Sequence, residues 1–177
     1  MKLGKRGSAV AVLGGLVAAA AVVVPSGQAQ DAVPPGTTTL TFHAPIVGSS
    51  FQFVDNPPKS PVNNLLSPRH RFSLGDTLAG DNRLFDRRGG SRVGRAYYQG
   101  TVVRGRTIEN LSYITTTTYV LNDGSQIVSQ GYARLGARKA TVPIVGGTGR
   151  FKGARGQVTT TIGVFFDSTT ETLTLLP

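Results

Sequence analysis

From Thr37 onward the chain alternates between apolar and polar residues with a period of two. No stretch of eleven residues carries the i, i+3, i+4, i+7 spacing of an amphipathic helix. Thr37–His43 sets Leu40 and Phe42 on one face, and Ser50–Val54 does the same with Phe51 and Phe53. Further strands are predicted over Asp76–Phe85, Arg92–Arg104, Ile108–Leu121, Ser125–Arg134, Lys139–Val145, Gln157–Phe166 and Glu171–Leu176. Asp123-Gly124 between two such runs is a hairpin signal, because a tight I′ turn needs positive φ at both central residues. Eight or nine strands, several of them long, leave edges that full closure removes. The expected fold is therefore all-β, an eight-stranded antiparallel β-barrel. A two-sheet sandwich is the competing architecture. Eight strands enclose a lumen just wide enough for side chains or one small ligand.

Two segments break the pattern. Asp55–Arg71 carries Pro57, Pro58, Pro61 and Pro68, which remove donors and fix φ, so it reads as irregular chain. A loop of that length is either a lid over a binding site or an idle surface excursion. Met1–Ala29 has Lys2, Lys5 and Arg6, an apolar run from Ala9 to Val24, and the small-x-small triplet Gly27-Gln28-Ala29. It reads as a secretory signal peptide, with an uncleaved N-terminal anchor as the alternative. The expected organisation is a signal over 1–29, a linker over 30–36 and one barrel domain over 37–177. The expected location is secreted, with no membrane span after cleavage.

Without the signal, 16 basic residues face 9 acidic ones, for a net charge of +7. That balance permits contact with anionic polymers. The bases are scattered, Arg87-Arg88 being the densest pair, and no nucleic-acid partner is expected. There is no Cys, which excludes disulfides, lipoprotein attachment and thiol chemistry. His43 and His70 are the only histidines, and no Gly-x-Ser-x-Gly occurs, so neither a metal nor a serine hydrolase site is expected.

The most distinctive stretch is Gly146–Gly156, with the order GGTGRFKGARG. A phosphate cradle would need to open a helix, whereas the next residues, Gln157–Ile162, are strand-like. No cofactor is expected. The segment reads instead as a glycine turn, with Gly147 or Gly149 at positive φ and Phe151 packed back on the barrel. Asp76, Asp81 and Asp86 recur every five residues. An odd spacing alternates faces on a strand, so at most one or two of them share a lumen. An acid there would have a raised pKa and would suit acid–base chemistry; on a rim it would only be solvated. Tyr97, Tyr113, Tyr119 and Tyr132 are candidates to line a lumen, with core packing as the alternative. Tyr97 and Tyr98 point opposite ways, and Tyr113 and Tyr119 share a face.

Gly75–Asp86 resembles the G-D-x-x-x-x-x-N-K-L-Y-D segment of plant allene oxide cyclases. Val93-Gly94-Arg95-Ala96 is similar to the V-G-R-A segment of plant dirigent proteins, and Asn122–Ser125, Gln130-Gly131 and Ile144–Gly156 resemble the later half of both. The resemblance covers about Phe42–Phe166 and implies an eight-stranded barrel of lipocalin-like architecture, with a homotrimer among the expected assemblies. From the cyclase side it implies Asn82 and Pro61, within Ser60-Pro61, as substrate-binding residues. The cyclase Glu and second Asn fall on Gln52 and Val54, its Cys near Gly100, and its Tyr on Ala133. From the dirigent side it implies Asp81 and Arg95 as catalytic pocket residues. The absence of Cys and the Arg-rich composition point to a bacterial member. The expected function is a secreted barrel that binds a small hydrophobic molecule in its lumen and guides a stereoselective cyclisation or radical coupling. The alternative is a non-catalytic secreted or envelope-associated binding module with a basic surface.

Overall fold

A computed structural model of the protein describes residues 34–56, 72–107, 110–134, 136–163 and 167–177. Residues 1–33, which hold the expected signal segment and the first part of the expected linker, lie outside the described residues, as do Pro61 and His70. Nine strands form one antiparallel sheet: β1 (Thr38–Pro45), β2 (Ser50–Val54), β3 (Thr77–Phe85), β4 (Arg92–Arg104), β5 (Ser112–Leu121), β6 (Gln126–Arg134), β7 (Lys139–Thr148), β8 (Gly156–Ile162) and β9 (Ser168–Leu175). Their order is β1-β9-β8-β7-β6-β5-β4-β3-β2, and β1 also pairs with β3 through His43 and Phe85. β1 and β2 thus occupy one position in turn along β3, and the sheet closes as an eight-stranded barrel. Closure removes the edges that these long Thr- and Val-rich strands would otherwise expose. Bulges at Leu84/Phe85, Val102/Arg104 and Val128/Ser129 bend the wall as it closes.

Several strand limits differ from the expected ones. β5 begins at Ser112, because Asn110 Oδ1 accepts the backbone N–H groups of Arg106 and Thr107 at 3.0 Å and holds a turn there. β8 stops at Ile162, and β7 runs on to Thr148. The Asp123-Gly124 connection spans Asn122–Ser125 and is wider than a two-residue hairpin. Gly124 alone supplies the positive φ of a glycine there, and Asp123 Oδ1 accepts the Ser125 N–H at 2.9 Å. That backbone hydrogen bond, the largest influence, holds the Asp123 carboxyl below its usual range.

Alternation decides which side chains fill the barrel. Along β4, Gly94, Ala96, Tyr98, Gly100 and Val102 are buried while Tyr97, Gln99 and Thr101 are exposed. At the end with the short β3–β4, β5–β6 and β7–β8 turns, Leu84, Leu121, Ile127, Leu173 and Leu175 form the main apolar core, with Phe151 packed against it. At the opposite end Phe72, Val102, Leu111 and Tyr113 form a second core. Asp76 is fully buried beside this second end. Its carboxylate accepts the N–H groups of Asn56 at 3.0 Å and Ser73 at 2.8 Å, and the Ser73 hydroxyl at 2.7 Å. It therefore ties together the two ends of the 57–71 segment, a structural task rather than a pocket role.

Candidate functional site

Between the two apolar layers the inner wall turns polar. Thr115 and Thr117 of β5, Ser129 of β6, Thr160 of β8, and Thr169 and Glu171 of β9 are all buried. Glu171 has the parity of Leu173 and Leu175, so it must point inward with them. Its carboxylate accepts hydrogen bonds from Thr169 Oγ1 at 2.9 Å, from Tyr119 Oη at 3.3 Å, and from Thr160 Oγ1. Burial pushes the Glu171 carboxyl above its usual range, and the three hydroxyl donors oppose that shift. Burial, then the Glu171 charge, drive the Tyr119 phenol well above its own. Phe42 stacks on the Tyr119 ring, with centroids 6.5 Å apart.

Asn82 and Tyr119 lie in one cross-strand row of the inner face, joined through Ala96. Asn82 is 5% exposed, and its Oδ1 has no hydrogen-bond partner among the described residues. A buried amide oxygen without a donor costs on the order of 1–3 kcal/mol, so the position calls for a donor from elsewhere. Tyr113 is fully buried on the inner face, its ring seated over Gly100, where a Cβ would lie 2.9 Å from Tyr113 Cδ2.

Three of the remaining expected site tyrosines and acids sit elsewhere. Tyr97 is half exposed on the outer wall; its neighbour Tyr98 faces in over Gly80 and donates to the Ser50 carbonyl at 3.2 Å. Tyr132 also faces out, with its hydroxyl 2.7 Å from Ser112 Oγ. Asp81 is one residue from inward Asn82, so it points outward, on the same face as Ser50 and Tyr97 opposite it. There it is ion-paired with Arg95 and accepts from the Ser50 hydroxyl. The structure thus brings Asp81 and Arg95 together, but on the outside of the wall, and corrects the expectation that they line the pocket. The physical reason is the two-residue period: with Asn82, Leu84, Ala96 and Tyr98 filling the barrel, their neighbours cannot.

An outer cleft of about 450 Å³ lies where β1 passes between β9 and the β3–β4 turn, lined in part by His43, Arg88 and Asp167. Burial, then Arg88, lower the His43 pKa, while Asp167 opposes them. Arg88 and Asp167 form an exposed ion pair at 3.1 Å. Among the described residues no group of three or more His, Asp or Glu is placed to hold a metal.

This barrel, closed and antiparallel with a polar belt inside, belongs to a recognisable class. The dirigent-like protein family matches residues 37–175, and the chain belongs to that family. No curated protein matches the sequence. Among solved structures it is similar to a pyocyanin demethylase, with TM-score 0.60 and 18% identity over 78% of this chain and 100% of that one. A pterocarpan synthase dirigent protein is similar at TM-score 0.57 and 22% identity, over 80% of this chain and 94% of the other. An exo-specific intermolecular Diels-Alderase is similar at TM-score 0.57 and 13% identity, over 78% and 96%. At these identities the likeness concerns the fold.

Proposed function

We propose that the protein is a secreted barrel that binds a small, mainly apolar molecule in its lumen and guides a stereoselective cyclisation or coupling by holding it in one conformation. The observation that carries this reading is the inner polar belt, with Asn82 Oδ1 buried and unpartnered among the described residues. Tyr113 and Tyr119 supply ring surface on the same inner face, and Thr115, Thr117 and Ser129 are the short polar side chains buried there with them. Restraint of a reactant can lower a barrier by several kcal/mol without covalent help from the protein. The similar structures are each named for chemistry on small organic molecules, which agrees with a lumenal substrate. Secretion rests on the Met1–Ala29 segment and on family membership. Among the described residues no helix is long and apolar enough to cross a membrane.

Saturable binding of the neutral dye Nile red tests the lumen. The expected stoichiometry is one dye per chain. Thr117→Phe, whose ring extends from the inner wall, abolishes it, while Thr116→Phe on the outer wall leaves it intact. Uptake without saturation, or equal binding by both variants, overturns the reading.

Assembly as a homotrimer is part of the same proposal. The outer face of β4, β5 and β6 carries no charge from Tyr97 to Val103, from Ile114 to Val120, or from Val128 to Tyr132, and Tyr97, Ile114 and Tyr132 are 41–50% exposed. Light scattering is expected to give the mass of three chains; a monomer would leave that face without a partner of its own kind.

A further inference from the structure

Glu171 is the only charged side chain on the inner face of the described strands. Among the described residues no ion pair includes it; its partners are the hydroxyls of Thr160, Thr169 and Tyr119. The arginines of β3 and β4 all point outward, Arg95 onto Asp81 and Arg83 onto the Gly48 carbonyl. A buried carboxylate without a cation is costly, and a cation brought by a ligand would repay part of that cost. The second feature is Asn82 Oδ1, an acceptor in need of a donor. Two acceptors, one of them able to carry a full negative charge, favour a donor-rich or cationic ligand and repel a carboxylate. The stacked rings of Phe42 and Tyr119 beside Glu171 add faces on which a flat cation gains further.

We propose that the lumen takes a flat aromatic nitrogen base in its protonated form, with the positive nitrogen held by Glu171 and a second N–H directed to Asn82. This rests on the lumenal reading above and names the ligand class for that site. The surface makes the opposite prediction. Without its signal the chain carries a net charge of +7, so a ligand chosen by surface charge alone would be an anion. Preference for a cation is therefore a signature of the interior.

The test is displacement of Nile red from the purified protein at pH 8 by three probes: 9-aminoacridine, which is cationic, acridine, which has the same rings without charge, and the anion 1-anilinonaphthalene-8-sulfonate. The expected result is displacement by 9-aminoacridine at a concentration at least tenfold lower than by acridine, and little displacement by the sulfonate. Glu171→Gln is expected to erase the tenfold preference, read on the variant itself as the ratio of the displacing concentrations of acridine and 9-aminoacridine. If Nile red binds and the sulfonate or acridine displaces it as well as 9-aminoacridine does, the proposed ligand class is wrong and the lumen site stands. If Nile red itself finds no saturable site, the lumenal reading falls and takes this one with it. Should Glu171→Gln fail to fold, the order of the three probes on the unaltered protein decides alone.

Discussion

Glu171→Gln will remove a pH dependence of stability, and above neutral pH the variant will melt at a higher temperature than the parent. The folded-state pKa of Glu171 is raised from its ordinary 4.5, chiefly by burial. A carboxyl raised on folding binds its proton more tightly in the native state. Its contribution is fully present below pH 4.5 and is lost as pH rises through the folded value. Each unit of elevation corresponds to about 1.4 kcal/mol, and each kcal/mol to roughly 2–4 °C in a domain of this size. Gln keeps the shape and the hydrogen-bonding reach of the protonated acid and never ionises. Melting curves by circular dichroism from pH 4 to pH 8 provide the check. The two proteins should converge near pH 4 and separate as pH rises. His43 and Asp123, whose pKa values are lowered, titrate in both proteins and cancel in the difference. Parallel curves across the whole range would mean that Glu171 is charged at no cost, and that the inner belt is wet or paired in a way the structure does not show.

The barrel was legible because its cause is local. A period of two, repeated over most of the chain, fixes strands, and long strands without helices to cover them must close. The site was less legible because the sequence shows alternation without showing which phase is inside. Around Gly75–Asp86 the resemblance drew attention to Asp81 and Asn82 together, yet neighbours on a strand cannot share a lumen. Leu78, Leu84 and the small residues Gly94, Ala96 and Gly100 set the phase, and that phase selects Asn82. The same rule separates Tyr98 from Tyr97, and it leaves Tyr132 outside because Ala133 is the buried member of its pair. Glu171 was missed for the opposite reason. It belongs to no recognised motif, and a lone Glu in a Thr-rich strand looks like a solvated position. The signal was nevertheless present: Glu171, Leu173 and Leu175 share one parity, and two leucines fix that face as the interior. The 57–71 segment, with Pro61, lies outside the described residues, so its bearing on the site rests on sequence alone.

Gly156→Val will cost about 3–5 kcal/mol, more than any other substitution in the glycine segment, and will leave little of the 5–15 kcal/mol that holds a typical domain. Two causes act together. Gly156 has φ 135°, a region that L side chains rarely adopt, and a Cβ built there lies 1.9 Å from the Thr174 carbonyl oxygen and 3.2 Å from Leu175 Cα. Both are backbone atoms of the adjacent strand, so no rotamer change can relieve the contact. Gly156 is paired with Ile144 on one side and Leu175 on the other, so displacement would open both ladders. Gly149 is milder than Gly156. Its φ is 60° and its Cβ would lie 2.6 Å from Ser125 Oγ, a side-chain atom that can rotate away, and 3.2 Å from Ser125 Cα. Of the two positions expected to share this role, Gly149 is the one with positive φ; Gly147 is outside the left-handed region, but its Cβ would meet the Phe151 and Gln126 carbonyls at 2.5 and 2.7 Å. Gly153 at φ 80° has nothing within 4 Å, so Gly153→Ala carries backbone strain alone, roughly 1–2 kcal/mol. Gly146 has neither a left-handed φ nor a close neighbour, and Gly146→Ala should be neutral or stabilising by up to about 1 kcal/mol. Urea unfolding of the series is expected to rank the midpoints 146, 153, 149, 156 from highest to lowest at constant slope. If Gly156→Val unfolds at the midpoint of Gly153→Ala, the close approach of β8 to β9 is not what holds this corner of the barrel together.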